Sequence, residues 1–322
     1  MNHSMTKKKA CKVLLIAKPW KGGLGQYFFQ ALQDFFEDVH WILTYPVGFH
    51  DQLAYRRNKK RWRIGLTHQI ASADYDIAFF INTINEFAKL EHSDRNIIWI
   101  TDDPRPVIQQ LDAYGRVYLA DPGYKDDVIP YLRGTQYGGI LPFAHLPGTH
   151  TPHRCDQPKN GVCFIGNRDP KRDPFFDALL SSKVILKIYG NYFLKSPLFW
   201  RYPGSILPAV PNLKMGRIYS RYAMAINIHA QVVRGGTNMR TFECAGYAIP
   251  QAVEIRPGLE DYFEPEREIA VFRSSSEAVE KIERLIKDQK MLQAMAHRAR
   301  EHALAAHTYH HRIKTLLKDF SL

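Results

Sequence analysis

Residues 225–250, AINIHAQVVRGGTNMRTFECAGYAIP, set a short apolar run, two glycines, a capping hydroxyl and an acid in immediate succession. That order suits a phosphate next to a sugar. The apolar run ends at His229, a candidate for touching substrate from a strand end. Gly235 and Gly236 let the backbone approach a ligand with no Cβ in the way. Thr237 is the expected N-cap of the helix that follows, so the N–H groups of Asn238, Met239 and Arg240 would leave its first turn where the helix dipole favours an anion. Arg234 and Arg240 flank the turn with guanidinium groups that match phosphate oxygens bidentately. Glu243, one turn further in, can accept hydrogen bonds from two ribose or sugar hydroxyls. A nucleotide diphosphate fits this segment; a capped surface helix with ordinary arginines is the alternative on local features alone.

Such residues need strand ends to stand on, and the chain supplies them. Short apolar segments alternate with helical ones, as in parallel sheets with crossover helices. Strands are expected at residues 13–17, 39–44, 77–82, 97–101, 117–120 and 139–143, with an amphipathic helix over 27–36. The Pro-, His-, Gly- and Thr-rich stretch 145–161 reads as a linker. A second series is expected at 162–165, 184–189, 223–228, 248–252 and 269–272, with helix from about 277 onward. Two doubly wound α/β domains result, 1–148 and 149–322.

At 322 residues there is ample length for two cores. No apolar run approaches the ~18 residues of a membrane span, and the N-terminal MNHSMTKKKACKVLLIA has too short an apolar core for a signal peptide. The expected location is cytoplasmic. Cys11, Cys155, Cys163 and Cys244 are scattered without a CxxC pair, which suits reduced, packed thiols. The net charge of +12 is uneven, with 18 Lys/Arg against 15 Asp/Glu in residues 1–150 and 26 against 17 beyond. Anionic partners follow, a nucleotide sugar or a phospholipid surface, whereas nucleic acid is disfavoured for want of a recognition motif.

Four further groups of residues invite a chemical reading. Gly22, Gly23 and Gly25 follow the first strand and open a helix, where open α/β sheets bind phosphates. Their GGxG spacing, with Thr44, Tyr45 and Pro46 where a dinucleotide site needs an acid, disfavours an NAD-dependent enzyme; a tight strand-to-helix turn is the plain alternative. Asp102 and Asp103 also follow a strand end, and Asp103 is the carboxylate offered for a direct role, although Asp-Asp-Pro is a routine turn as well. His145, His150, His153 and Cys155, like His307, His310 and His311, look at first like metal-ligand spacing, but the first group is irregularly spaced on a Pro-rich linker and the second lies at a helix start, so no metal site is expected. Finally, residues 56–63 hold six cations, with Tyr55 and Trp62 among them. Arg56, Lys60, Trp62 and Arg63 would make a patch for phospholipid headgroups or an anionic glycan, or else a solvated basic loop.

NMRTFE with CAG (238–246), RPGLEDYFEP (256–265), EIAVF (268–272) and HTYHHR (307–312) resemble the C-terminal half of the CgeB-like glycosyltransferases, enzymes of GT-B architecture. TDDPRP (101–106), ILPFA (140–144) and VCFIGNRDPKR (162–172) extend the likeness over most of residues 97–322. The resemblance implies two Rossmann-like domains facing a cleft, with the last helix (309–320) crossing back to the first. It implies a UDP-type nucleotide sugar as donor, held with Asn167 and with Arg172, which would stabilise the departing diphosphate in place of a metal. The glycine loop would approach the donor phosphates, and the basic segment would lie on the acceptor side. One departure stands out: retaining relatives carry a glutamate eight positions before Glu243, and here Gly235 occupies it. Retaining stereochemistry is therefore not carried over, and a non-catalytic protein binding sugar nucleotides or glycans remains the second reading. The first is a metal-independent glycosyltransferase, without a cofactor, acting on a glycan or lipid-linked acceptor at the inner face of a membrane.

Overall fold

The segments VLLIA (13–17), IAFFI (77–81) and VCFI (162–165) are continuous, buried apolar runs rather than alternating ones, as strands covered on both faces of a parallel sheet must be. The computed structural model describes residues 8–82, 92–154 and 160–320. The chain divides into two units, Met1–Pro142 with Arg312–Leu322, and Phe143–His311. Each unit is built on its own six-stranded parallel sheet.

In the first unit β1 (Lys9–Ala17), β2 (Phe36–Leu43), β3 (Ile77–Ile81), β4 (Ser93–Ile100), β5 (Tyr114–Leu119) and β6 (Tyr137–Ile140) lie in the order β2-β1-β3-β4-β5-β6. In the second, β7 (Val162–Ile165), β8 (Leu186–Tyr189), β9 (Ile206–Leu207), β10 (Met224–Asn227), β11 (Gln251–Glu254) and β12 (Ala270–Phe272) lie in the order β12-β11-β10-β7-β8-β9. Strand addition reverses once in each sheet, between β1 and β3 and between β7 and β10. Ligands of open α/β sheets bind beyond the carboxyl ends of such a pair. All eleven expected strands form, with shifted ends. The segment 248–252 starts late: Ala248 takes a left-handed turn (φ 54°), so β11 starts only at Gln251. Strand β9, two residues long, had no sequence signal.

The helix expected over 27–36 is α1 (Leu24–Gln33), because Phe36 already belongs to β2. The glycine loop before it is shaped by its own contacts. Gly22 is left-handed (φ 65°) and its N–H donates to Gln26 Oε1 (2.6 Å), while a Cβ on Gly25 would stand 2.6 Å from the Lys18 carbonyl. The basic segment is helical rather than a loop: α2 (Phe49–Arg57) and α3 (Lys59–Ala71) meet at Asn58, whose Oδ1 caps α3 by accepting the Arg61 N–H (2.9 Å).

The helix Tyr309–Asp319 begins in the second unit and ends in the first. Within the second unit His145 donates its N–H to the His307 carbonyl (3.0 Å) and accepts that of Tyr309 (3.1 Å). Within the first, Arg312 Nε donates to the Pro142 carbonyl (2.8 Å) and the Tyr118 hydroxyl to Asp319 (2.5 Å). Among the described residues no helix is long and apolar enough to cross a membrane.

Candidate functional site

Arg172 spans the point where the second sheet reverses. Its Nε donates to the carbonyl of Ile228, just past β10, and its Nη1 to that of Asn167, just past β7, both at 2.7 Å. The local sequence puts it there: Pro170–Arg172 forms a single 3-10 turn after Asp169. One Asp169 oxygen accepts the Lys171 N–H (3.0 Å) and the other the Gln231 N–H (2.9 Å). Burial pushes the Arg172 pKa down, against the pull of Asp169 and Glu254. Arg172 is thus a brace between two strand ends as well as a cation at the switch point. Asn167 is exposed, and its side chain accepts from Asn191 Nδ2 (3.2 Å).

Glu254, buried at the end of β11, was not anticipated from the sequence, where it is a lone acid after an apolar run. It accepts from Lys171 Nζ (2.7 and 3.0 Å) and from the His229 N–H (2.9 Å), and Arg256 Nη2 lies 3.0 Å away. The Lys171 and Arg256 side chains remain 27% and 22% exposed. One buried carboxylate therefore fixes two cations that still face outward.

His229 registers the resulting field. It is fully buried, with Nε2 3.0 Å from the Thr237 hydroxyl. Burial, then Arg256, Lys171 and Arg172, lower its pKa to about 3. A strongly perturbed group among convergent cations at a switch point is what a functional site produces. It also has a consequence for stability. Folded His229 refuses a proton that the unfolded chain takes up near its ordinary value of 6.5. Its contribution is therefore free of penalty above that pH and is lost progressively as pH falls toward 3, by up to about 1.4 kcal/mol per pH unit. His229→Asn should flatten this acid-side slope, measured by denaturant unfolding between pH 6.5 and about 5; an unchanged slope would contradict a neutral buried imidazole.

The start of the helix Met239–Gly246 departs from the expectation. Asn238, not Thr237, is the N-cap, and its Oδ1 accepts the Arg240 N–H (3.0 Å), which is thereby used within the protein. Asn227 and Asn238 exchange two amide hydrogen bonds of 2.9 Å, so the end of β10 is tied to the helix start. Thr237 instead turns inward to Thr241 (2.6 Å) and His229. Gly236 is left-handed (φ 61°) and gives its N–H to the Pro257 carbonyl (2.7 Å). Arg234 is exposed and Met239 half-buried.

Glu243 also differs from its expected role. Its carboxylate is fully enclosed, paired with Arg240 on one side and 3.5 Å from His150 Nε2 on the other. Leu146 donates its N–H to His150 Nδ1 (2.8 Å), which leaves the ring proton on the nitrogen that faces Glu243. Burial alone would raise the Glu243 pKa, but Arg240 and then His150 hold it below the ordinary carboxylate value. The half-buried Arg240, rather than the acid, is the partner with access to a ligand. Cys155, grouped with His150 in the sequence, lies outside the described residues.

In the first unit Asp103 is not poised as a base. Both its oxygens accept from Arg105 Nε (2.9 and 3.1 Å), and Nη2 lies 2.5 Å from one of them, which closes the turn on itself. Arg56 and Lys60 are exposed on α2 and α3, while Trp62 and Arg63 are half-buried.

The model of a family described as Glycosyl transferase-like matches residues 171–318, a span that opens on Lys171 and Arg172 and takes in Glu243, Glu254 and Arg256. No curated protein matches the sequence. Among solved structures the chain is similar to sucrose-phosphate synthase from Thermosynechococcus elongatus, at 11% identity over 97% of this chain and 98% of that one, with a TM-score of 0.69. It is similar to Anabaena HepE in complex with UDP and glucose, at 12% identity over 97% and 99%, with a TM-score of 0.67. TarM is similar at 12% identity and a TM-score of 0.59; this chain matches over 82% of its own length but spans only 59% of TarM. At these identities the likeness is one of fold, and the fold is GT-B. The cation cluster thus lies within the residues that this family model matches.

Proposed function

We propose that this protein is a GT-B glycosyltransferase that draws a sugar from a nucleotide-diphosphate donor, UDP-linked by preference, without a metal ion. The carrying observation is the convergence of Lys171, Arg172 and Arg256 on the switch point of β7 and β10, held there by Glu254 and by two strand-end carbonyls. Fixed cations in such a place can neutralise the charge that grows on a departing diphosphate. The HepE complexes with UDP and glucose support the choice of nucleotide. Arg240, Asn167, Arg234 and the backbone around Gly236 and Met239 complete the donor side, and Glu243 acts through Arg240. The resemblance over residues 97–322 supports CgeB-like specificity within the transferases. The first unit, with Gly22, Gly23 and Gly25 beyond β1 and its basic helices α2 and α3, serves a glycan or lipid-linked acceptor at an anionic membrane surface, in a cell-envelope role at its cytoplasmic face.

A panel of nucleotide sugars tests this reading. Release of nucleoside diphosphate that persists in EDTA is the expected result, and strict dependence on Mn²⁺ or Mg²⁺ would overturn the cation clamp. Tight binding of a donor with no release under any acceptor would favour the non-catalytic reading, for which the absence of an acid at Gly235 speaks.

A further inference from the structure

The first unit contains a cavity of about 510 Å³ between α2, α3 and the end of β2. It is lined by one face of α3, in which Arg61, Trp62, Gly65, Leu66 and Gln69 recur at helical spacing, is flanked by Ala54, Arg57, Asn58 and Leu43, and opens to solvent. Its size is that of a small-ligand pocket. Its chemistry is divided: Leu43, Ala54, Trp62 and Leu66 offer hydrocarbon, while Arg57 and Arg61 offer charge. Neither arginine forms an ion pair among the described residues, and residues 49–71 contain six cations against one carboxylate, Asp51.

Two observations set this cavity apart from a packing gap. Gly65 stands mid-helix, where glycine is the least favourable residue after proline, yet a Cβ built on it would meet nothing within 4 Å. No neighbour requires the missing side chain; what its absence leaves is room. The buried Trp62 Nε1–H lacks an acceptor among the described residues, and Tyr55 packs edge-on against the same ring (centroids 6.2 Å apart). Beside this ring the two exposed guanidinium groups suit a phosphate next to hydrocarbon.

We infer that this cavity takes an amphiphile with one hydrocarbon chain and a phosphate head, the chain against Trp62 and Leu66 and the head on Arg57 and Arg61. That the ligand is the acceptor, a lipid-linked phosphate, rests on the transferase reading; the binding itself does not. Of the residues the sequence singles out in this segment, Arg56, Lys60, Trp62 and Arg63, Trp62 lines the cavity, and Arg57 and Arg61 line it in place of the other three.

The test is calorimetric titration of the full chain, with no nucleotide sugar present, by decyl phosphate, by inorganic phosphate and by decanol. Decyl phosphate is expected to bind at least about tenfold more tightly than either half alone. Gly65→Leu, which fills the cavity, should lose that binding at least about tenfold while its unfolding midpoint stays the same or rises. The paired change Arg57→Glu with Arg61→Glu should lose it as well. Inorganic phosphate binding as tightly as decyl phosphate would reduce the feature to an ion site and overturn the inference. So would equal binding of decyl phosphate by Gly65→Leu, or capture on phosphatidylglycerol vesicles that this variant leaves intact while decyl phosphate fails to bind. Failure here with nucleoside diphosphate release preserved would remove the cavity's role and leave the transferase standing.

Discussion

Replacing Arg172 by alanine is expected to slow sugar transfer by roughly a hundredfold or more, the ~2–4 kcal/mol typical of a lost fixed donor to a developing anion. A second effect accompanies it. The side chain satisfies the carbonyls of Ile228 and Asn167, so its loss leaves two acceptors at strand ends without their donor and lowers stability by about 1–3 kcal/mol. The two effects separate experimentally. Turnover per folded molecule, with folding followed by circular dichroism, should fall far more than the folded fraction does, and Arg172→Lys should recover little because an ammonium cannot span both carbonyls. If turnover per folded molecule is unchanged in both variants, Arg172 is a brace only, and the leaving-group role must pass to Lys171 or Arg256.

The second large effect is expected at Glu243. Changing it to glutamine keeps the shape but leaves Arg240 charged beside a neutral amide, and breaking a buried pair from one side costs about 3–5 kcal/mol. Because Glu243 is held ionised below its ordinary range, its share of stability is present above the unfolded carboxylate's pKa and is lost as pH falls through the folded one. The variant should therefore be less stable at neutral pH and converge on the parent in acid. Donor affinity should drop with it, since Arg240 loses the contact that aims it. Equal unfolding midpoints at neutral pH would mean that the pair contributes nothing; a destabilised variant with unaltered donor affinity would confine Glu243 to the fold.

The sequence disclosed what depends on near neighbours in the chain. Buried parallel strands must be apolar throughout, so VLLIA and VCFI announced β1 and β7, and the two alternating series announced two sheets. The glycine turns were equally plain, since Gly22 and Gly236 do adopt left-handed backbone. What stayed hidden was pairing across long separations. His150 lies in a stretch that looks like a linker, and nothing local says that it packs on Glu243, ninety-odd residues away. Glu254 reads as a stray acid until folding brings Lys171, His229 and Arg256 around it. The cap slipped by one residue because Thr237 and Asn238 are both good caps, and the choice fell to the amide exchange with Asn227 on another element. The basic segment looked like a loop because α2 buries none of its residues, so it lacks the apolar stripe by which helices are usually recognised.

The path of the chain has a consequence for how the molecule is made. The first unit is assembled from two pieces, Met1–Pro142 and Arg312–Leu322, with the whole of the second unit between them. During synthesis its six strands emerge before the second unit, yet the partner of Tyr118 at Asp319 and that of Pro142 at Arg312 emerge only after it. The first unit is thus finished only after the second, which is contiguous in sequence and free to fold in the interval. Removing residues 312–319 would take from the first unit the partners of Tyr118 and Pro142, while Tyr309 keeps its hydrogen bond to His145 in the second.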